Sequence, residues 1–96
     1  MRLLLVVVAF LAACLRSLPD PDSAGARTYR LRCEPCHRLH DPGSLTAAMW
    51  EIQLDRKQPM LVRSGLSPLT GRERHLILSY LQAHSSDAPL PSPGPR

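Results

Sequence analysis

The chain has few of the large side chains from which a small domain usually builds its core. Its 96 residues include only four aromatics, Phe10, Tyr29, Trp50 and Tyr80, and Phe10 lies in an apolar N-terminal stretch. A domain of this size with so few aromatics usually needs a disulfide, a metal or a cofactor as an additional staple. The composition therefore predicts a single small domain that is stabilised by such a group.

The chain also has no apolar run long enough for a comfortable membrane span, which needs about 20 residues. Its longest apolar run begins at Leu3 and ends before Cys14, and Arg2 precedes it. A positive residue followed by a short apolar run is typical of an export signal. The sequence shows no acid–base pair or nucleophilic triad, so we do not expect an enzyme. Its basic residues lack the interleaved aromatics of a nucleic-acid binder, so we expect no nucleic-acid partner.

Three cysteines are present, an odd number, and Cys14 lies apart from the other two. The stretch Leu11-Ala12-Ala13-Cys14 resembles the bacterial lipobox, in which small residues precede a cysteine that is lipidated and becomes the mature N-terminus. This resemblance implies a lipoprotein-type signal peptide at residues 1–13, lipidation of Cys14 and a membrane attachment through that lipid. An uncleaved N-terminal anchor and an ordinary cleaved signal are the alternatives. All three predict an exported domain.

Cysteines 33 and 36 belong to the string Cys33-Glu34-Pro35-Cys36-His37, which reads C-x-x-C-H. This spacing is the attachment signature of a c-type haem, because two thiols add to the two vinyl groups and the adjacent histidine binds iron. We therefore expect one covalent haem c, with Cys33 and Cys36 as thioether sites and His37 as an axial iron ligand. A zinc module that uses these three residues and His40 is an alternative, although adjacent ligands suit a tetrahedral site poorly.

Three helices are predicted after a proline-containing tether at residues 14–23. Ser23 can cap a helix from residue 24 to about residue 32. A second helix is expected over residues 45–57, closed by Pro59, with Trp50 and Leu54 on one apolar face and Leu45, Met49 and Ile52 on a neighbouring one. Residues 61–68 are expected to connect it to a third helix, residues 71–84, which begins with a capping box of Thr70 and Glu73. The proline-rich residues 87–96 are expected to be a disordered tail.

The string Gly25-x-x-x-Tyr29-x-x-x-Cys33-x-x-Cys36-His37 resembles the N-terminal helix and haem motif of class I cytochromes c. This resemblance covers residues 24–86 and implies an all-α, cytochrome c-like fold of about three helices around one haem. It also implies that Gly25 and Tyr29 pack against Leu76 and Tyr80 of the terminal helix.

The sixth iron ligand is less well defined by the sequence. Class I cytochromes c that carry electrons use a methionine, and Met60 follows Pro59 in a segment expected to be non-helical, so Met60 is the expected ligand. In short relatives the methionine lies seven residues past the tryptophan, and here that position is Lys57. Met49, Lys57, His40, His75, His84 and an open coordination position are the alternatives. Nearby arginines are expected to meet the two haem propionates.

The function implied is that of a membrane-tethered cytochrome on the periplasmic side of a bacterial membrane. It would transfer single electrons between periplasmic or membrane redox proteins. The alternative is a haem-based sensor or small-ligand-binding protein with an open or weakly ligated iron.

Overall fold

A computed structural model describes residues 2–3 and 18–89 of the chain. It contains helices α1 (Ala24–Cys33), α2 (Ala47–Arg63) and α3 (Gly71–Ala83), with a short 3₁₀ helix at Pro42–Ser44 before α2. No strand occurs in the ranges described, so the expected all-α class with three helices is confirmed. Cys14, most of the predicted signal peptide and most of the predicted tail lie outside the described residues.

Each α-helix begins at a hydroxyl side chain that accepts a hydrogen bond from the first helical turn. Ser23 accepts from the Ala26 N–H at 3.2 Å, and Thr46 accepts from the Met49 N–H at 3.2 Å. Thr70 and Glu73 form the predicted capping box, with hydrogen bonds of 3.1 and 3.0 Å. Because Thr46 is the cap, α2 begins at Ala47, two residues later than expected.

The predicted end of α2 at Pro59 is wrong, because the helix continues to Arg63. A proline removes one main-chain hydrogen bond, whereas continuing the helix buries Leu61, which is only 6 % exposed. The helix ends in a Schellman motif at Gly65, whose φ of 80° is in the left-handed region. There the Leu66 N–H donates to the Leu61 carbonyl at 2.9 Å, and the Gly65 N–H donates to the Val62 carbonyl at 3.0 Å.

Helix α3 is the central element, because both α1 and α2 pack on it. At the crossing with α1, a Cβ added to Gly25 would lie 2.8 Å from the Leu76 carbonyl oxygen and would also meet Tyr80. The rings of Tyr29 and Tyr80 are 6.2 Å apart, centroid to centroid. The predicted packing of Gly25 and Tyr29 against Leu76 and Tyr80 is therefore confirmed.

Two aromatic side chains anchor the loop after the C-x-x-C-H motif to this helical core. The Tyr29 hydroxyl donates to the His40 carbonyl at 2.8 Å, and the Trp50 indole donates to the Pro42 carbonyl at 2.8 Å. Burial is the main cause that raises the pKa of Tyr29 above its usual range. These bonds hold the loop that follows the C-x-x-C-H motif against the helices.

The segments on either side of the helices pack more closely than the sequence predicts. Leu18 lies against the core, and the Pro19 carbonyl accepts from the Tyr80 hydroxyl at 2.7 Å, so the predicted extended tether is wrong from residue 18 onward. At the other end, Asp87 accepts from the Ala47 N–H at 2.8 Å, so the domain extends past the predicted boundary at residue 86. None of the helices in the described ranges combines the length and the apolar character needed to cross a membrane.

Candidate cofactor site

The residues of the C-x-x-C-H motif lie at a gap between α1 and α2. Both helices pack on α3 and meet each other at Tyr29 and Trp50, whose ring centroids are 6.2 Å apart, and a cavity remains where their C-terminal parts face one another. Its lining combines two thiols, an imidazole and an amine with several apolar side chains: Arg32, Cys33, Cys36, His37, Leu54, Lys57, Met60, Leu61, Ser64 and Leu69. Four of the expected site residues, Cys33, Cys36, His37 and Met60, therefore border one cavity.

The two cysteines differ in their surroundings. Cys33 is the last residue of α1 and is 6 % exposed, whereas Cys36 lies in the following turn and is exposed. Both thiols are free. Burial is the main cause that raises the pKa of Cys33 above its ordinary value, and the nearby Lys57 and Arg32 partly oppose this shift. The buried thiol therefore stays protonated at neutral pH.

The orientation of His37 defines which of its nitrogens is free to bind a metal. Its Nδ1 lies 2.7 Å from the Arg38 carbonyl oxygen. A carbonyl can only accept a hydrogen bond, so Nδ1 carries the proton and Nε2 carries the lone pair. Metal-binding histidines usually have this arrangement, in which a backbone carbonyl fixes the ring.

The free nitrogen of His37 faces Lys57 across the cavity. The Lys57 ammonium donates a hydrogen bond to His37 Nε2. Lys57 lies on the face of α2 that also carries Trp50, Leu54 and Leu61, all of which are buried. This spacing of four, seven and eleven residues from Trp50 is that of one side of a helix, and it is the sequence signal that points Lys57 into the site.

The structure places Met60 differently from the sequence prediction. Met60 lies inside α2 and not in a non-helical segment, and it is 51 % exposed at the edge of the cavity. Met49 and Ile52 are also largely exposed, so the second apolar face predicted for α2 is not buried. Met60 remains a predicted ligand, but the loop on which that prediction was based is not present.

The remaining histidines do not line the cavity. His84 stacks on Tyr80 with ring centroids 5.0 Å apart, His75 is exposed, and the rings of His37 and His40 are 5.5 Å apart. Between residues 18 and 89 no three His, Cys, Asp or Glu side chains form a group that could hold a metal ion. The four-residue zinc arrangement that includes His40 is therefore not assembled.

Arg32 is the arginine that lines the cavity. Its Nη2 donates to the Ser67 carbonyl, and its Nε lies 3.3 Å from a Glu73 carboxylate oxygen without the geometry of a hydrogen bond. The guanidinium is thus held at the cavity by Ser67 on the connection to α3 and by Glu73 in the first turn of α3. Among the arginines expected to meet propionates, it has the best position.

The donor set fits a haem. Two free thiols, an imidazole with an unprotonated nitrogen and the apolar side chains of Leu54, Leu61 and Leu69 lie around one space. That space is only about 40 Å³, so a tetrapyrrole would require the side chains that line it, including those of Lys57 and Met60, to move apart. Lys57 and Met60 have several rotatable bonds, so their own movement does not require α2 to unfold.

Comparisons of the chain with protein-family models, with curated proteins and with solved structures gave no significant match.

Proposed function

We propose that this chain is an exported c-type cytochrome that carries single electrons between redox proteins. Its one haem would be held by Cys33 and Cys36, with His37 on the iron. The observation that supports this most directly is that both free thiols and the unprotonated Nε2 of His37 border the same cavity.

Covalent attachment requires each thiol to add across one vinyl group. The sulfur forms a bond to one vinyl carbon and a hydrogen is added to the other, so the reaction needs no oxidant. The thiols must be reduced for this addition, and neither Cys33 nor Cys36 is in a disulfide. Attachment at the buried Cys33 extends the hydrophobic core outward from α1, which supplies the staple that the composition predicts.

The neighbouring residues have separate tasks in this proposal. His37 offers Nε2 to the iron while the Arg38 carbonyl holds the ring in place. Arg32 offers a positive charge to a propionate at the edge of the cavity. A haem bound here supplies one-electron chemistry, because its iron cycles between Fe(II) and Fe(III).

The N-terminal sequence supports an exported, lipid-anchored location for this carrier. Cys14 would be the lipidated residue, and the tether available before the packed segment at Leu18 is short. The domain would therefore operate close to the membrane surface, next to periplasmic or membrane redox partners. The formal net charge of +4 favours partners with acidic docking faces.

The test is to express the full chain in a bacterium that attaches haem c. We expect the purified protein to keep its haem in denaturing electrophoresis and to change its absorption spectrum reversibly on reduction. The Cys33→Ala/Cys36→Ala variant should lose the haem. A wild-type chain without covalent haem would contradict the proposal. Rapid carbon monoxide binding by the reduced protein would instead favour the ligand-binding alternative.

A further inference from the structure

We infer that Lys57, rather than Met60, is the sixth ligand of the iron, opposite His37. This inference depends on the proposed haem protein and specifies its coordination. It assigns to this chain a nitrogen donor on each side of the metal.

The side chains of His37 and Lys57 are in direct contact. His37 uses Nδ1 to bind the Arg38 carbonyl, so Nε2 is the nitrogen available to a metal. The group that this nitrogen faces is the Lys57 ammonium. An iron bound at Nε2 therefore has the Lys57 nitrogen as a neighbouring donor across the same cavity.

The second argument is the position of Lys57 on α2. It shares the inward face with Trp50, Leu54 and Leu61, which are buried. Met60 is off this face and is 51 % exposed. A thioether at the edge of the cavity would have to turn inward to reach the metal, whereas the Lys57 amine already faces His37 and would have to withdraw only far enough to admit the iron.

The third argument is that Lys57 has no acidic partner. The two ion pairs found between residues 18 and 89 use Arg32 with Glu73 and Arg74 with Asp55. Its hydrogen bond is to His37, so no ion pair between residues 18 and 89 holds Lys57 away from the cavity. On binding to iron, Lys57 would release one proton to solvent and donate the lone pair of its neutral amine.

The other nitrogen donors have weaker positions. His40, His75 and His84 do not line the cavity, and His84 packs on Tyr80. Among the residues that border the cavity, the candidates are therefore reduced to Lys57 and Met60.

The experiment compares absorption spectra of the oxidised full chain, loaded with haem in cells, for four proteins. These are the wild type and the variants Lys57→Met, Lys57→Ala and Met60→Ala. An iron–methionine bond gives a weak charge-transfer band near the red end of the visible spectrum. We expect this band to be absent in the wild type and to appear in Lys57→Met, where a thioether replaces the amine.

The other two variants are matched controls. Lys57→Ala should change the spectrum toward that of iron with an open or water-filled position, and added imidazole should reverse this change. Met60→Ala should leave the wild-type spectrum unaltered. A red band in the wild type that disappears in Met60→Ala would overturn the inference, and so would a Lys57→Ala spectrum identical to that of the wild type.

The haem content is measured separately, on denatured protein in alkaline pyridine. This spectrum reports covalent haem c whatever the sixth ligand is. If it shows no haem c in the wild type, the proposed function itself fails. If it shows haem c while the oxidised spectra do not depend on Lys57, only the ligand inference fails.

Discussion

The two sides of α1 meet the rest of the molecule in different ways. On one side, α1 crosses α3 so closely that Gly25 has no room for a side chain, and Ala26, Tyr29 and Ile77 are buried there. On the other side, α1 meets α2 through the rings of Tyr29 and Trp50, whose centroids are 6.2 Å apart, and the C-terminal ends of the two helices leave a cavity with polar groups. One side is closed by packing, and the other is left open around Cys33.

This difference indicates how such a small domain accommodates a reactive site. The crossing of α1 with α3 supplies much of the stability, because it buries Tyr29 and Tyr80, two of the four aromatics of the chain. The cavity contributes less, because it holds His37 and Lys57 in place of apolar side chains. Substitutions at the crossing should therefore affect folding, and substitutions at the cavity should affect chemistry.

The largest effect is expected for Ile77→Ala on the closed side. Ile77 is 0 % exposed, and removing buried methylene groups leaves a cavity that costs about 3 kcal/mol. Urea denaturation followed by circular dichroism measures this loss. Ile52→Ala on the exposed side of α2, where Ile52 is 53 % exposed, is the control and should change stability by less than about 0.5 kcal/mol. Equal losses in the two variants would contradict the assigned core.

A smaller effect is expected for Gly25→Ala at the crossing itself. The added methyl group meets the Leu76 carbonyl oxygen, which belongs to the backbone and cannot rotate away. Overpacking of this kind costs about 1–3 kcal/mol, which outweighs the gain of about 1 kcal/mol that alanine brings to a helix. We expect a net loss of up to about 2 kcal/mol.

Gly71→Ala is the matched control, because nothing lies within 4 Å of a Cβ added there. It should be neutral or slightly stabilising in the same urea titration. If Gly25→Ala is as stable as Gly71→Ala, the helices do not cross at the distance found in the structure.

The closed side was largely predictable from the sequence. The N-cap residues Ser23 and Thr70 define where two helices begin, because each hydroxyl accepts a hydrogen bond from a backbone N–H of the first helical turn. The crossing at Gly25 and Tyr29 was implied by the resemblance to class I cytochromes c, whereas the caps are signals of the local sequence. Local signals of this kind are short-range and therefore readable in a single sequence.

The open side was only partly predictable. The motif Cys33-x-x-Cys36-His37 defines three groups of the site, but the groups opposite it come from another helix. Pro59 suggested that this helix stops early, whereas burial of Leu61 outweighs the lost hydrogen bond and Gly65 provides the actual end. Tertiary packing therefore determines where α2 ends, and it places Met60 inside the helix and not in a loop.

On the open side, Lys57→Met should stabilise the chain without haem by up to about 1 kcal/mol. The substitution replaces a charged group at an apolar cavity with an apolar side chain of similar length. Arg56→Met, next to it on the exposed surface of α2, is the control and should have no measurable effect. Urea midpoints of the two variants give the comparison. A destabilised Lys57→Met would mean that the contact with His37 contributes to folding rather than to the site.

The smallest effect, which does not alter stability at neutral pH, is a difference in reactivity between Cys33 and Cys36. Alkylation requires the thiolate, and burial raises the pKa of Cys33 and shields it from reagent. In the chain without haem, peptide mapping after iodoacetamide treatment should show Cys36 modified roughly tenfold faster or more than Cys33.

The same burial predicts a change with pH. In the folded chain, Cys33 stays protonated at pH values at which the same thiol ionises in the unfolded chain. The contribution of Cys33 to the free energy of unfolding is therefore complete below pH 9.0. It is lost as the pH rises through the higher pKa of the folded state. Urea midpoints should therefore fall above pH 9.0 in the wild type and fall less in Cys33→Ala. Equal alkylation rates at the two cysteines, or identical pH profiles of the two proteins, would mean that the α1 side of the cavity is open to solvent.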